Sequence, residues 1–203
     1  MFRNIHPTKQ TLIMTAVGLL EANPTAEITS EQILEISGIS KGSLYHHFED
    51  FSEMMEYAHV FIFTREVDKS IAEMNMMLLQ SKTREDLVGF LSKVTRRSQS
   101  PDMKSLRNFR LVTVAKTVTN LRLRKFLAEE QLRLTGALAD LYREAQERGW
   151  ANPALNPTTV AIFVEAYTMG KVVDEIATTH MDPEDWYSIV DQTIEKILFP
   201  AVK

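Results

Sequence analysis

Thr29–Phe48 reads TSEQILEISGISKGSLYHHF, and the interpretation of this stretch decides the fold of the chain around it. Thr29 can accept a hydrogen bond from the backbone N–H of Gln32 while Gln32 reaches back, a capping box that starts a helix at Ser30. Ile33, Leu34 and Ile36 supply the inward face of that helix. Ser37-Gly38 ends it, because glycine takes the positive φ that a sharp exit demands. Ile39 plugs the corner, and Ser40 caps a second helix through Lys41-Gly42-Ser43-Leu44-Tyr45-His46-His47-Phe48. Leu44 and Phe48, four apart, face inward and leave Lys41, Ser43, Tyr45 and His46 on the outer side or leading end. A recognition helix offers groups to a major groove from there. Gly42 lets the backbone come close to phosphate. The competing interpretation is a helical corner that only packs.

Upstream, Leu12, Ile13, Ala16, Val17 and Leu20 form one helical stripe over about Thr8 to Ala22. Lys9 and the apolar run after it superficially resemble a signal peptide, but Glu21, Asn23 and Pro24 follow without a small-x-small cleavage site. With this helix in front, GISKGSLYHHF, Thr29 and Ile33 closely resemble the DNA-binding domain of the tetracycline-repressor-like (TetR) family of bacterial regulators. The resemblance is carried by about 45 residues; the rest matches the family in length and helical character.

Three features depart from the family pattern. Phe51 stands where a phosphate-contacting lysine is usual, and Leu34 where a small alanine is usual. Residues 1–50 hold Arg3, Lys9 and Lys41 against Glu21, Glu27, Glu31, Glu35, Glu49 and Asp50, a net of minus three. A DNA-reading head is normally basic, so this one is expected to rely on Ser40, Ser43, Tyr45 and helix N-termini and to show a shallow salt dependence. His46 and His47 would add charge below about pH 6.5 and raise operator affinity on mild acidification. The alternative is one neutral hydrogen bond from His46 with His47 packed.

The 203 residues suffice for one small two-part molecule, and the absence of cysteine excludes disulfides and thiolate chemistry. No run is long enough to span a bilayer, and a cytoplasmic location is the default expectation. Glycine and proline are scarce after residue 50 and strict alternation is lacking, so the chain is expected to be all-α. Helices are predicted over 51–80, after Thr83 with Asp86 as cap, over 103–119, 121–148, 158–179 and 183–199. The last two are apolar over more than one stripe, which points to burial on two sides. In the resemblance they form a four-helix homodimer interface; burial within one subunit is the alternative.

The resemblance also implies an N-terminal three-helix helix-turn-helix domain at 1–50 and a larger effector-binding and dimerisation domain at 51–203. From Lys93 to Arg133 eleven basic residues face three acidic ones. Arg110, on a largely apolar helix, is the candidate contact for an anionic small-molecule effector, with Phe63, Phe90, Phe163 and Tyr167 as apolar lining. A salt bridge from Arg110 to Glu66 or Glu165 is the competing role. Met74, Met76 and Met77 are adaptable fillers. Glu56-x-x-His59 has di-iron bundle spacing, but no second copy exists and His-Glu-x-x-His is absent. Nothing in the sequence calls for a cofactor, a metal or catalysis. The expectation is a homodimeric repressor that binds palindromic double-stranded operator DNA and releases it when an effector enters. In it Thr29 caps the supporting helix and touches phosphate, Ser40 caps the recognition helix, Lys41 meets phosphate or a guanine edge, Ser43 and His46 read bases, and Tyr45 grips the backbone. The rival from another class is a protein of the same fold whose acidic head binds a protein partner instead of DNA.

Overall fold

A computed structural model describes residues 5–23 and 27–201; Arg3 and Pro24, used above, lie outside them. All regular structure among these residues is helical. In order the helices are α1 (Pro7–Ala22), α2 (Ser30–Ser37), α3 (Lys41–His47), α4 (Phe51–Gln80), α5 (Arg84–Ser98), α6 (Lys104–Lys116), α7 (Leu121–Glu147), α8 (Pro157–Gly170), α9 (Val172–Glu175) and α10 (Pro183–Thr193). A single 3-10 turn at Pro101–Met103 precedes α6, and a π-helical turn at Ile194–Leu198 follows α10. Among the described residues no helix is long and apolar enough to cross a membrane.

The chain divides into two compact units. One runs to Glu66 and adds Asn108–Glu130; the other is Val67–Arg107 with Gln131–Lys203. In the first, the stripe Leu12, Ile13, Ala16, Val17 and Leu20 of α1 packs with Ile33, Leu44, Phe48, Met54, Ala58, Ile62 and Phe109. Burying each large apolar side chain stabilises by about 1.5–3 kcal/mol, so this cluster fixes where α2 and α3 lie. The expected inward face of α2 needs one correction: Ile33 is buried and Leu34 partly so, but Ile36 is 61% exposed. A helix of two turns buries one narrow stripe against α1, and Ile36 falls off its edge.

The second unit is held by α5, α7 and α8 around the C-terminal segment. Thr83 and Asp86 form the predicted capping box on α5. Arg84 Nε donates to Phe199 O at 2.7 Å, Ser92 Oγ to Asp191 Oδ1 at 2.7 Å, and the Tyr142 hydroxyl to Leu198 O at 2.9 Å. Gly149, at φ 72°, ends α7 as its sequence position predicts. The helix expected over 158–179 stops earlier. It breaks at Lys171, and in the short α9 that follows the Asp174 carboxylate accepts from Met181 N at 2.9 Å and its carbonyl from His180 Nδ1 at 3.0 Å.

Candidate nucleic-acid interface

The recognition element is built from local hydrogen bonds. Thr29 Oγ1 accepts from Gln32 N (3.3 Å) while Thr29 N donates to Gln32 Oε1 (3.0 Å), which completes the capping box on α2. Gly38 sits at φ 68°, where an L side chain would be strained, and Ile39 turns back onto the core. Ser40 Oγ then accepts from Ser43 N at 3.3 Å and starts α3. Only Leu44 of α3 is fully buried. Lys41, Gly42, Tyr45 and His46 are exposed and Ser43 half-buried, so the residues assigned to DNA share the outer side of one capped helix.

Charges that the sequence leaves bare are matched in the fold. Lys9 Nζ lies 4.6 Å and 4.1 Å from the ring centres of Phe48 and Tyr57, so this cation is committed to holding α1 on α4. Arg65 pairs with Glu21 at 2.5 Å. Arg122, at the start of α7, reaches Glu49 at 3.0 Å, Asp50 at 3.3 Å and Glu56 at 2.5 Å. The hydrogen bond to Glu56 first, and then the charges of Glu56, Asp50 and Glu53, raise its pKa against the opposing effect of desolvation. The acid-rich head is therefore less negative than its own residues imply. Phe51, half-buried, packs against the first unit's core.

Glu56, 3% exposed, is held by Arg122, by Asn120 Nδ2 at 2.7 Å and by Ser52 Oγ at 3.3 Å. His59, one turn on, is stacked on Phe109 and bonded to Thr113 Oγ1 and Lys116 Nζ, each at 3.0 Å. An ammonium can only donate, so Nε2 accepts from Lys116 and Nδ1–H donates to Thr113. Burial first, and the Lys116 charge second, push the His59 pKa down to about 4. Burial likewise lowers the Lys116 pKa. Glu56-x-x-His59 is thus a structural pair that ties α4 to α6 and α7, and among the described residues no group of three or more His, Cys, Asp or Glu is placed to hold a metal ion. Apart from Ser52, its partners lie 50 or more residues away, which is why the spacing alone could not identify them.

The rings of His6 and His47 lie 4.7 Å apart, and those of His47 and His46 5.1 Å. His6 Nδ1 caps α1 by accepting from Thr8 N at 3.2 Å. Desolvation, then repulsion from His6, His46 and Lys9, lowers the His47 pKa. His47 therefore resists the gain of charge expected of it on mild acidification.

The residues assigned to an effector occupy three settings. Arg110 lies with its guanidinium 5.5 Å from the Phe63 ring centre in the first unit. In the second, Phe90 lines a surface cleft of about 290 Å³ with Met77, Val94 and Lys93. Tyr167 lines an apolar cavity of about 40 Å³ with Leu91, Leu138 and Val160, and half-exposed Phe163 touches its ring edge. Glu165, offered above as a partner for Arg110, accepts instead from Gln131 and Thr135. Much of the basic excess is also internal: Arg96 pairs with Glu184 and Asp191, Arg97 with Glu73, Arg107 with Glu175 and Arg133 with Asp68.

No family model matches the chain. A TetR-family transcriptional regulator of Mesorhizobium loti aligns in structure with a TM-score of 0.69, over 92% of this chain and 93% of that one, at 14% identity. The chain has the fold of the TetR-family regulators. A second structural match is a transcriptional regulator of Saccharomonospora viridis, solved in complex with choline, with a TM-score of 0.70 over 95% and 98% of the two chains at 13% identity. In sequence the chain is similar to the nucleoid occlusion factor SlmA of Marinomonas sp. (strain MWYL1), 27% identical over 190 residues, which are 88% of this chain and 91% of that protein. Two of these three proteins are named as transcriptional regulators and the third as a nucleoid occlusion factor; none is named as an enzyme.

Proposed function

We propose that the protein is a cytoplasmic homodimeric transcriptional regulator, a repressor, that binds palindromic double-stranded operator DNA through residues 1–50 and releases it when an effector enters residues 51–203. The observation that carries this reading is the exposure of Lys41, Tyr45 and His46, with Ser43 beside them, on a helix capped by Ser40 and anchored through Leu44. Each subunit supplies one recognition helix, so two-fold pairing supplies the second half-site about one turn of DNA away. Exposed Ile162, Phe163, Ile176, Ile189 and Ile197 on or beside α8–α10 support the pairing. The S. viridis neighbour was solved with a small molecule, choline, which supports a small-molecule effector.

The decisive experiment is selection from random duplexes at low salt. Enrichment of a two-fold-symmetric site supports the regulator; recovery of no sequence refutes it. The second reading, an acidic head that grips a protein, is favoured by Phe51, which packs inward and leaves no cation at the phosphate position. The name of the Marinomonas relative adds nucleoid occlusion as another use of the same DNA-binding surface. Mapping of bound sites along the chromosome separates the two uses: regulation places them at promoters, and occlusion distributes them over the nucleoid.

A further inference from the structure

Lys116, the last residue of α6, is exposed, but its amine reaches back to a buried ring. Nζ lies 3.0 Å from Nε2 of His59, which is 2% exposed. On the other side of the ring Nδ1–H donates to Thr113 Oγ1 at 3.0 Å, and Phe109 stacks on its face. Thr113 lies one turn before Lys116 on α6, so one helix supplies both hydrogen-bond partners of the ring. All four side chains belong to the first unit. Among the described residues no carboxylate pairs with Lys116, in contrast to Arg65 and Arg122 of the same unit.

A neutral donor at position 116 would hold the ring as well, whereas a lysine brings a cation into a partly buried place without a counter-charge. Such a setting disfavours the charged form, and burial lowers the Lys116 pKa. The neutral amine is a nucleophile. Its neighbour is a neutral imidazole, because burial holds the His59 pKa at about 4. A nucleophile within hydrogen-bond reach of a base, with the base oriented by a third group, is the arrangement that activates side chains for attack. Lys116, His59 and Thr113 stand in that order.

We propose that Lys116 is a modification site, at which an activated acyl group from an acyl phosphate or a thioester is transferred to Nζ with His59 as the proton acceptor. The Nζ lone pair attacks the acyl carbon and forms the C–N bond. The nitrogen of the tetrahedral adduct is far more acidic than a free ammonium, so His59 Nε2 accepts its proton despite being a weak base and passes it to water. Collapse breaks the bond from the acyl carbon to the phosphate oxygen or the sulfur, and the leaving group departs with the electron pair. Nothing is oxidised or reduced, and the product is a neutral amide. One acyl group is transferred per chain, without turnover, and the site is independent of the DNA-binding reading.

The test treats the full chain at neutral pH, without DNA, with acetyl phosphate in one arm and acetyl-coenzyme A in the other, and follows acetylation of each lysine by peptide mass spectrometry. Lys104 and Lys125, exposed and outside the cluster, are internal references. In at least one arm Lys116 is expected to react on the order of tenfold faster than either reference, and His59→Gln should lower its rate toward theirs without changing them. Reaction in a single arm supports the site and identifies the donor class. Thr113→Val, close to threonine in shape, should also slow Lys116, and it becomes the deciding variant if His59→Gln does not melt cooperatively. A Lys116 rate no greater than the references in both arms, or one equal in wild type and in the folded variant, overturns the proposal.

Discussion

Lys41 is the single lysine of α3 and stands exposed, whereas Lys9 of α1 is lodged on two rings. Lys41→Ala should weaken binding nearly uniformly across sequences and make the slope of log K against log salt shallower by about 1 per half-site, read by titration at several salt concentrations. A slope that does not change removes Lys41 from the phosphate contacts. His59 is a stability group, and its sign follows from the direction of its shift. Its folded pKa of about 4 lies below the ordinary histidine value of 6.5, so the unfolded chain takes up the proton first as the pH falls. Stability should be fully retained above pH 6.5 and decline by on the order of 3 kcal/mol as the pH approaches 4. His59→Gln should flatten that part of a plot of urea midpoint against pH; an unchanged slope would show that other groups set it.

At the level of elements, the short helix α3 depends on its ends. Seven residues are too few to hold a helix by propensity, so Ser40, Gly38 and the burial of Leu44 decide its place. Ser40→Ala should cost about 1 kcal/mol through the lost cap, and Gly38→Ala about 1 kcal/mol through strain at its positive φ, because open space surrounds the added methyl. Both should lower operator affinity though neither is assigned a base, as thermal melts paired with binding titrations would register. The α4–α7 tie is a second such device. Arg122→Ala leaves buried Glu56 with Asn120 and Ser52, and half-exposure of the arginine tempers the loss to about 2 kcal/mol. A double-mutant cycle with Glu56→Gln should recover much of it; strict additivity would mean the two side chains do not act as a pair.

For the molecule as a whole, the open question is what covers the apolar residues of its last helices. Ile189 is 62% exposed and Ile197 54%, on a segment whose other side is buried through Tyr187, Val190, Ile194 and Leu198. Apolar side chains left out in numbers mark an association surface. Ile189→Glu and Ile197→Glu should each shift the protein from dimer to monomer in light scattering after size exclusion, and operator binding should fall with the dimer. A wild-type monomer that still selects a palindrome would break this link between pairing and DNA.

What could be read from residues alone is whatever close neighbours decide. The capping box at Thr29, the positive φ at Gly38, the cap at Ser40, the stripe of α1 and the boundary at Gly149 each depend on groups within about one turn, so the helix-turn-helix and its exposed face were legible before any coordinates. Ile36 was misread because a short helix buries a width that its partner sets. Tertiary structure alone decided where distant charges go. Arg122 meets Glu49, Asp50 and Glu56, Lys116 meets His59, and Arg107 meets Glu175 across separations that no local pattern encodes. Periodicity reports which face of a helix is apolar, but not which helix it meets, and a charge count cannot tell a bare carboxylate from a paired one. Such pairings depend on packing in three dimensions, and in the first unit they offset part of the negative charge of an acid-rich head.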